Sequence, residues 1–186
     1  KDKNFYFTVG KGSDYRLYKG KFEHGVVWNA IALNVTGSQK GQDAEISSDG
    51  MTLYLMVPQV SNPNMSMLQI AKNNLNGTFS KLSNSDDLLR NIIKPNNGQY
   101  AADVDADELE LYFTGAVDGK PGIYVSTRPS RVDIWGVPKL IVGQDQSTGG
   151  REATSISPDG KYLYYGQQKT ISGSRRFFME IWVMSR

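Results

Sequence analysis

One short pattern occurs three times in this chain. That repetition confines it to folds assembled by stacking one unit beside the next. The last copy reads Ser155-Ile156-Ser157-Pro158-Asp159-Gly160-Lys161-Tyr162-Leu163-Tyr164-Tyr165. The first reads Glu45-Ile46-Ser47-Ser48-Asp49-Gly50-Met51-Thr52-Leu53-Tyr54-Leu55. Between them lies Asp103-Val104-Asp105-Ala106-Asp107-Glu108-Leu109-Glu110-Leu111-Tyr112-Phe113. The three align without a gap. Ile46, Val104 and Ile156 share one column, and Leu53, Leu111 and Leu163 share another, each followed by Tyr. The spacing is roughly 50 residues, the period of propeller blades. The N-terminal region falls in the same register. Phe5-Tyr6-Phe7-Thr8 matches Leu111-Tyr112-Phe113-Thr114, Arg16-Leu17-Tyr18-Lys19 matches Gly122-Ile123-Tyr124-Val125, and Trp28-Asn29-Ala30-Ile31 matches Trp135-Gly136-Val137-Pro138.

Each copy reads as four antiparallel strands. The Ile-Ser-x-Asp-Gly segment is a strand running into a tight hairpin, where Asp-Gly supplies the positive φ that the turn needs. The Leu-Tyr segment is the second strand. The third is Met67–Ala71, Gly122–Ser126 or Glu180–Met184. A turn then delivers an aromatic, Phe79 or Trp135, which is expected to open the outer strand. Four such strands make one blade, and blades hide their apolar faces against one another. The expected fold is therefore all-β: a β-propeller of four-stranded antiparallel blades. About four repeats are present, at 1–43, 44–99, 100–150 and 151–186, in one segment spanning 1–186. The tail after Leu82 carries Asp86-Asp87-Leu88-Leu89-Arg90, which reads as one helical turn.

Composition narrows the function. The 186 residues carry a formal net charge of only +2, so the broad basic field required by nucleic acid is not expected. There is no Cys, which removes disulfides and thiolate metal sites. No apolar run approaches the about 18 residues of a bilayer-spanning helix. The glycines fall at turns, without the spacing of a phosphate-binding loop.

The segments "SISPDGKYLYYG", "GIYVSTRPSRVDIWGVPKLI" and "MEIWVMSR" resemble the bacterial TolB-like (WD-repeat-like) β-propeller repeat, with its Ser-Pro-Asp-Gly turn and Trp-containing outer turn. The likeness covers nearly the whole chain and is weaker before Glu45. Residues 105 to 108 depart from it, with Asp-Ala-Asp-Glu in place of Ser-Pro-Asp-Gly. The resemblance implies a propeller of a periplasmic or extracellular bacterial protein. It implies no activity, because fold alone does not fix function.

Few residues remain for chemistry. His24 is the only histidine and lies in a turn before an outer strand, which excludes a two-histidine metal site within the chain. Asp103, Asp105, Asp107 and Glu108 have the alternation of a calcium loop. The repeat explains them instead, with Asp103 and Asp105 on an inner strand and Asp107 in the turn column of Asp49 and Asp159. The recurring aromatics Trp28, Tyr54, Tyr112, Tyr124, Trp135, Tyr164 and Trp182 are expected to pack between blades. Arg175 and Arg176 with Lys169 read as a solvated hairpin loop. The candidate ligand-binding set is Asp43, Glu45, Asp103, Arg151 and Glu152, all at the start of inner strands. Inner strands line the channel of a propeller, so these side chains can converge at its mouth.

The expected function is a non-enzymatic binding or scaffold module that meets a protein or glycan through one face. No cofactor, no metal, no nucleic acid and no membrane span are expected. The alternative is a glycosidase-like carbohydrate-active enzyme using the channel-mouth acids, since that chemistry needs two carboxyls at a set separation. About 14 strands are counted where four whole blades need about 16, with the inner strand of the first repeat and the outer strand of the last absent. Self-association or flanking blades are expected to complete the ring.

Overall fold

The computed structural model describes residues 4–11, 14–94, 97–144, 151–170 and 177–186; of residues 11, 14, 151–153, 170 and 177 only the backbone is described. Strands make up more than half of the described chain and are arranged in four sheets.

The first sheet holds β1 (Asn4–Lys11), β2 (Asp14–Glu23) and β3 (Val26–Ala32) in that order. The second holds β5 (Gln42–Ile46), β6 (Thr52–Pro58), β7 (Ser66–Asn73) and β8 (Phe79–Lys81), with the short β4 (Val35–Thr36) added parallel to β8 at its outer edge. Residues 35 and 36 lie within the span of the first repeat, so this pairing ties one repeat to the next. The third sheet is β9 (Gln99–Val104), β10 (Glu110–Val117), β11 (Lys120–Thr127) and β12 (Lys139–Gly143). The fourth is β13 (Arg151–Ile156), β14 (Tyr162–Thr170) and β15 (Phe177–Ser185). Apart from the β4–β8 pair, every pairing is antiparallel between consecutive strands, the economical meander that tight turns produce. Helix α1 (Ser85–Leu88) is the single helical turn read from the sequence.

Strand alternation decides which face meets which neighbour. Leu53, Leu55 and Val57 of β6 pack toward the first sheet with Leu17, Leu33 and Phe79. Tyr54 and Met56, between them in sequence, pack toward the third sheet with Leu111, Phe113 and Trp135. On β10 the division repeats, since Tyr112 joins Ile123, Leu163 and Tyr165 in the cluster with the fourth sheet. The second and third sheets are thus buried on both faces. Each fully buried large side chain there stabilises by about 1.5–3 kcal/mol relative to exposure.

The turns follow the repeat. Ser47 Oγ accepts the Thr52 N–H, and Asp49 Oδ1 accepts the Met51 N–H, so Gly50 turns at φ 73°. Ser157, Asp159 and Gly160 repeat this, with Gly160 at φ 71°. In the third copy Asp105 lies just past β9 rather than on the inner strand. Its Oδ1 accepts both the Leu109 and Glu110 N–H groups, doing the work of the missing Ser. Glu108 stands where the others have Gly, at φ 58°. The gain that offsets this strain is visible: its buried carboxylate accepts the Tyr54 hydroxyl at 2.8 Å and lies 3.8 Å from the buried Arg128 and 3.2 Å from Arg131.

Two readings of the aromatics need correction. Trp135 does not open the outer strand. It sits in the loop before β12, fully buried, under the Arg128 guanidinium at 4.1 Å and edge-on to Tyr54 at 6.4 Å. Trp28, aligned with it, lies within β3 and is half exposed, as are Tyr164 and Trp182. A column marks the side of the strand that a residue occupies. Burial also needs a neighbouring sheet that covers that stretch.

Candidate functional site

Strands β5, β9 and β13 are the inner strands, each at one edge of its sheet and each beside the next; β1, which stands in the column of β10, is the edge strand of the first sheet that lies beside β5. The three inner strands share a defect. The register of β5 against β6 slips at Asp43, that of β9 against β10 slips at Ala101 and Ala102, and that of β13 against β14 slips between Glu152 and Ser155. These are β-bulges at one repeat position, which re-aim side chains and sharpen the local twist. Asp43 (φ 48°) and Ala101 (φ 47°) carry the left-handed backbone. Such strain costs of order 1–3 kcal/mol per residue and persists only where neighbours hold it.

The neighbours here are other sheets. The Asp43 N–H donates to Thr8 Oγ1 of β1 at 3.0 Å. The Ala101 N–H donates to Asp43 Oδ2 at 2.9 Å, and the Thr154 hydroxyl donates to the Ala101 carbonyl at 2.6 Å. One line of hydrogen bonds therefore crosses all four sheets through the bulges. A second staple lies deeper. Asp103 is buried, its Oδ1 accepting the Val104 N–H and its Oδ2 accepting the Ile156 N–H of the fourth sheet, both at 2.7 Å.

The structure brings Asp43, Glu45 and Asp103 of the candidate set together. The side chains of Arg151 and Glu152 lie outside the described ones, though both residues are on β13. Burial pushes the Glu45 carboxyl up to about 8, with repulsion from Asp103 and then Asp43 adding to it and the Ile46 N–H opposing it. Burial also raises Asp43, against the Ala101 N–H, and raises Asp103, against its two backbone donors. Among the described residues no group of three His, Cys, Asp or Glu is disposed to hold a metal ion.

Beside Asp43 opens a cavity of about 730 Å³, lined among others by Tyr6, Phe7, Thr8, Tyr15, Tyr100 and Thr114. Reasoning from sequence missed these residues. A signal was present, since Thr8 and Thr114 stand in one repeat column and both reach this cavity. The other expectations settle simply. His24 is in the β2–β3 turn at φ 51°, and Asp107 is exposed in its turn. Arg175 and Arg176 lie outside the described residues.

No protein-family model matches the sequence, and no curated protein matches it. Solved structures do. A putative TolB from Agrobacterium tumefaciens is 16% identical with a TM-score of 0.55, over 97% of this chain and 54% of its own. TolB from Acinetobacter baumannii is 17% identical at 0.52, over 98% and 40%. A thermostable family-43 glycoside hydrolase is 11% identical at 0.56, over 96% and 67%. At these identities the likeness defines the class, a β-propeller fold. Within that class the fold is TolB-like, and this chain spans about half the length of the two TolB chains or less. Among the described residues no helix is long and apolar enough to cross a membrane.

Proposed function

We propose that this chain is a non-enzymatic binding and scaffold module, four consecutive blades of an exported, periplasmic or extracellular bacterial protein. It meets a protein or glycan partner at the channel mouth around Asp43, Glu45 and Asp103, with Arg151 and Glu152 at the same level of the last inner strand. One observation carries the reading. Both oxygens of Asp103 and one of Asp43 accept backbone N–H groups, so these carboxylates hold strands together. Hydrolysis of a glycosidic bond needs an acid and a second carboxyl, both able to approach the substrate. Glu45 is the described acid whose raised carboxyl suits that role, and Asp43, two residues away on β5, lines a cavity of ligand size. The exposed apolar outer faces of the first and fourth sheets, Phe5 and Phe22 on one and Ile181 and Val183 on the other, suit further protein, either a second copy or flanking blades.

The second reading is a carbohydrate-active enzyme. Glu45 favours it, since a carboxyl titrating near 8 is protonated at neutral pH, as a general acid must be. A panel of glycosides and peptides separates the two. Binding without turnover is expected, and hydrolysis lost in Glu45→Gln would overturn the binding reading.

A further inference from the structure

The cavity beside Asp43 has an unusual balance of chemistry. Its walls include the rings of Tyr6, Phe7, Tyr15 and Tyr100 and the thioether of Met56. Asp43 supplies a carboxylate, and its charge and that of Asp103 hold the nearby Glu45 carboxyl toward its protonated form. Among the described residues no Lys or Arg lines it. Thr114 stands in its wall only 9% exposed, and its Oγ1 has no hydrogen-bond partner. A buried hydroxyl without a partner is costly, and it marks a place where a donor belongs.

Ligand classes respond differently to such a site. An anion is repelled. A neutral polyol can stack on the rings but leaves Asp43 without a counter-charge. An organic cation gains from the carboxylate and from the negative faces of the rings together. Its apolar stem suits the Phe7 and Met56 walls, and its N–H groups can donate to the Thr114 hydroxyl.

We propose that this cavity receives the guanidinium or ammonium end of an arginine or lysine side chain presented by a partner protein, with Asp43 as its counter-charge. The proposal rests on reading the chain as a binding module and names the chemistry of its partner.

The test titrates the protein with butylguanidinium, with its neutral analogue butylurea, with a short Gly/Ala peptide carrying one central Arg, and with the neutral disaccharide cellobiose. Calorimetry gives affinity, and the Met56 and Met65 methyl resonances report the location. Butylguanidinium should bind at least ten-fold more tightly than butylurea, and the peptide more tightly than butylguanidinium. Asp43→Asn should weaken both cations at least ten-fold. Asn keeps an acceptor for the Ala101 N–H and tolerates the left-handed backbone, so the variant should stay folded. A second variant, Thr114→Val, should weaken the peptide by a smaller factor. Butylurea binding as well as the cation, or Asp43→Asn binding unchanged, would overturn the proposal. Equal affinity for peptide and free cation would overturn its protein partner in favour of a small amine. Cellobiose binding here with the cations silent would overturn the proposal and leave the binding module standing. Silence from every probe would count against both.

Discussion

The two middle sheets and the two outer sheets are built from the same columns and meet different surroundings. Tyr54 and Tyr112, on β6 and β10, are 1% and 2% exposed, while Tyr164 in the same column of β14 is 41% exposed. Ile123 on β11 is fully buried against the fourth sheet, and its counterpart Ile181 on β15 is 84% exposed. The strands, turns and alternation are alike. What differs is whether another sheet lies against the face. Local sequence therefore sets conformation here, and the presence of a neighbour sets how much each residue stabilises.

The largest effect should come from the ion pair between the second and third sheets. Arg128 is buried over Trp135, donates to the Tyr54 hydroxyl and the Glu108 carbonyl, and faces the Glu108 carboxylate. Arg128→Ala removes the buried cation, leaves that carboxylate only the half-exposed Arg131 and the Tyr54 hydroxyl, takes away the donor to the Glu108 carbonyl, and should cost about 3–5 kcal/mol in urea unfolding. The outer counterpart is Lys169, 5.6 Å over Trp182 and 4.0 Å from Glu180 at the surface. Lys169→Ala should cost less than about 1 kcal/mol. Similar costs for the two would break the contrast.

Next in size is the third-strand column itself. Ile123→Ala should cost about 2–5 kcal/mol, the range for truncating a buried aliphatic side chain. Ile181→Ala should cost less than about 1 kcal/mol. If a partner covers the outer face of the fourth sheet in solution, the Ile181 cost rises toward that of Ile123 and depends on protein concentration, which sharpens the contrast rather than removing it.

Turns should not distinguish the sheets. Gly50→Val and Gly160→Val both force a β-branched residue to a φ near +70°, with no clash beyond it, and should each cost about 1–3 kcal/mol. Gly143→Val, on β12 at an ordinary φ with only Leu140 near, should cost less than either. A large difference between Gly50 and Gly160 in thermal unfolding would mean that the turns also feel their surroundings.

The remaining effect is a slope with pH rather than a fixed cost. Glu45 titrates near 8 when folded and near its ordinary 4.5 when unfolded. Between those values the folded chain holds the extra proton. Its contribution is complete below about pH 4.5 and is lost as pH rises through about 8. Glu45→Gln should flatten that fall in stability.

Much of this was readable in the sequence, because a repeat reports the same local physics several times. The Ser-x-Asp-Gly columns gave the hairpins, and Leu-Tyr alternation gave the two faces of β6, β10 and β14. Trp28 and Trp135 misled because residue identity alone aligned them, one on a strand and the other in a loop. The inner-strand bulges were hidden, since nothing in Gln42-Asp43-Ala44 or Tyr100-Ala101-Ala102 marks a left-handed residue without glycine. Asp103 was read correctly beside the buried Val104. That its second oxygen reaches the Ile156 N–H depends on a residue 53 positions away, which no local pattern carries.

The central claim is that the inner-strand carboxylates of Asp43 and Asp103 staple adjacent sheets. Amide hydrogen exchange of Ile156, compared between the wild type and Asp103→Ala, tests it most directly. The account predicts that the Ile156 amide loses its protection in the variant while that of Leu55, in the covered second sheet, keeps it. Unchanged protection at Ile156 in a folded Asp103→Ala protein would contradict the account.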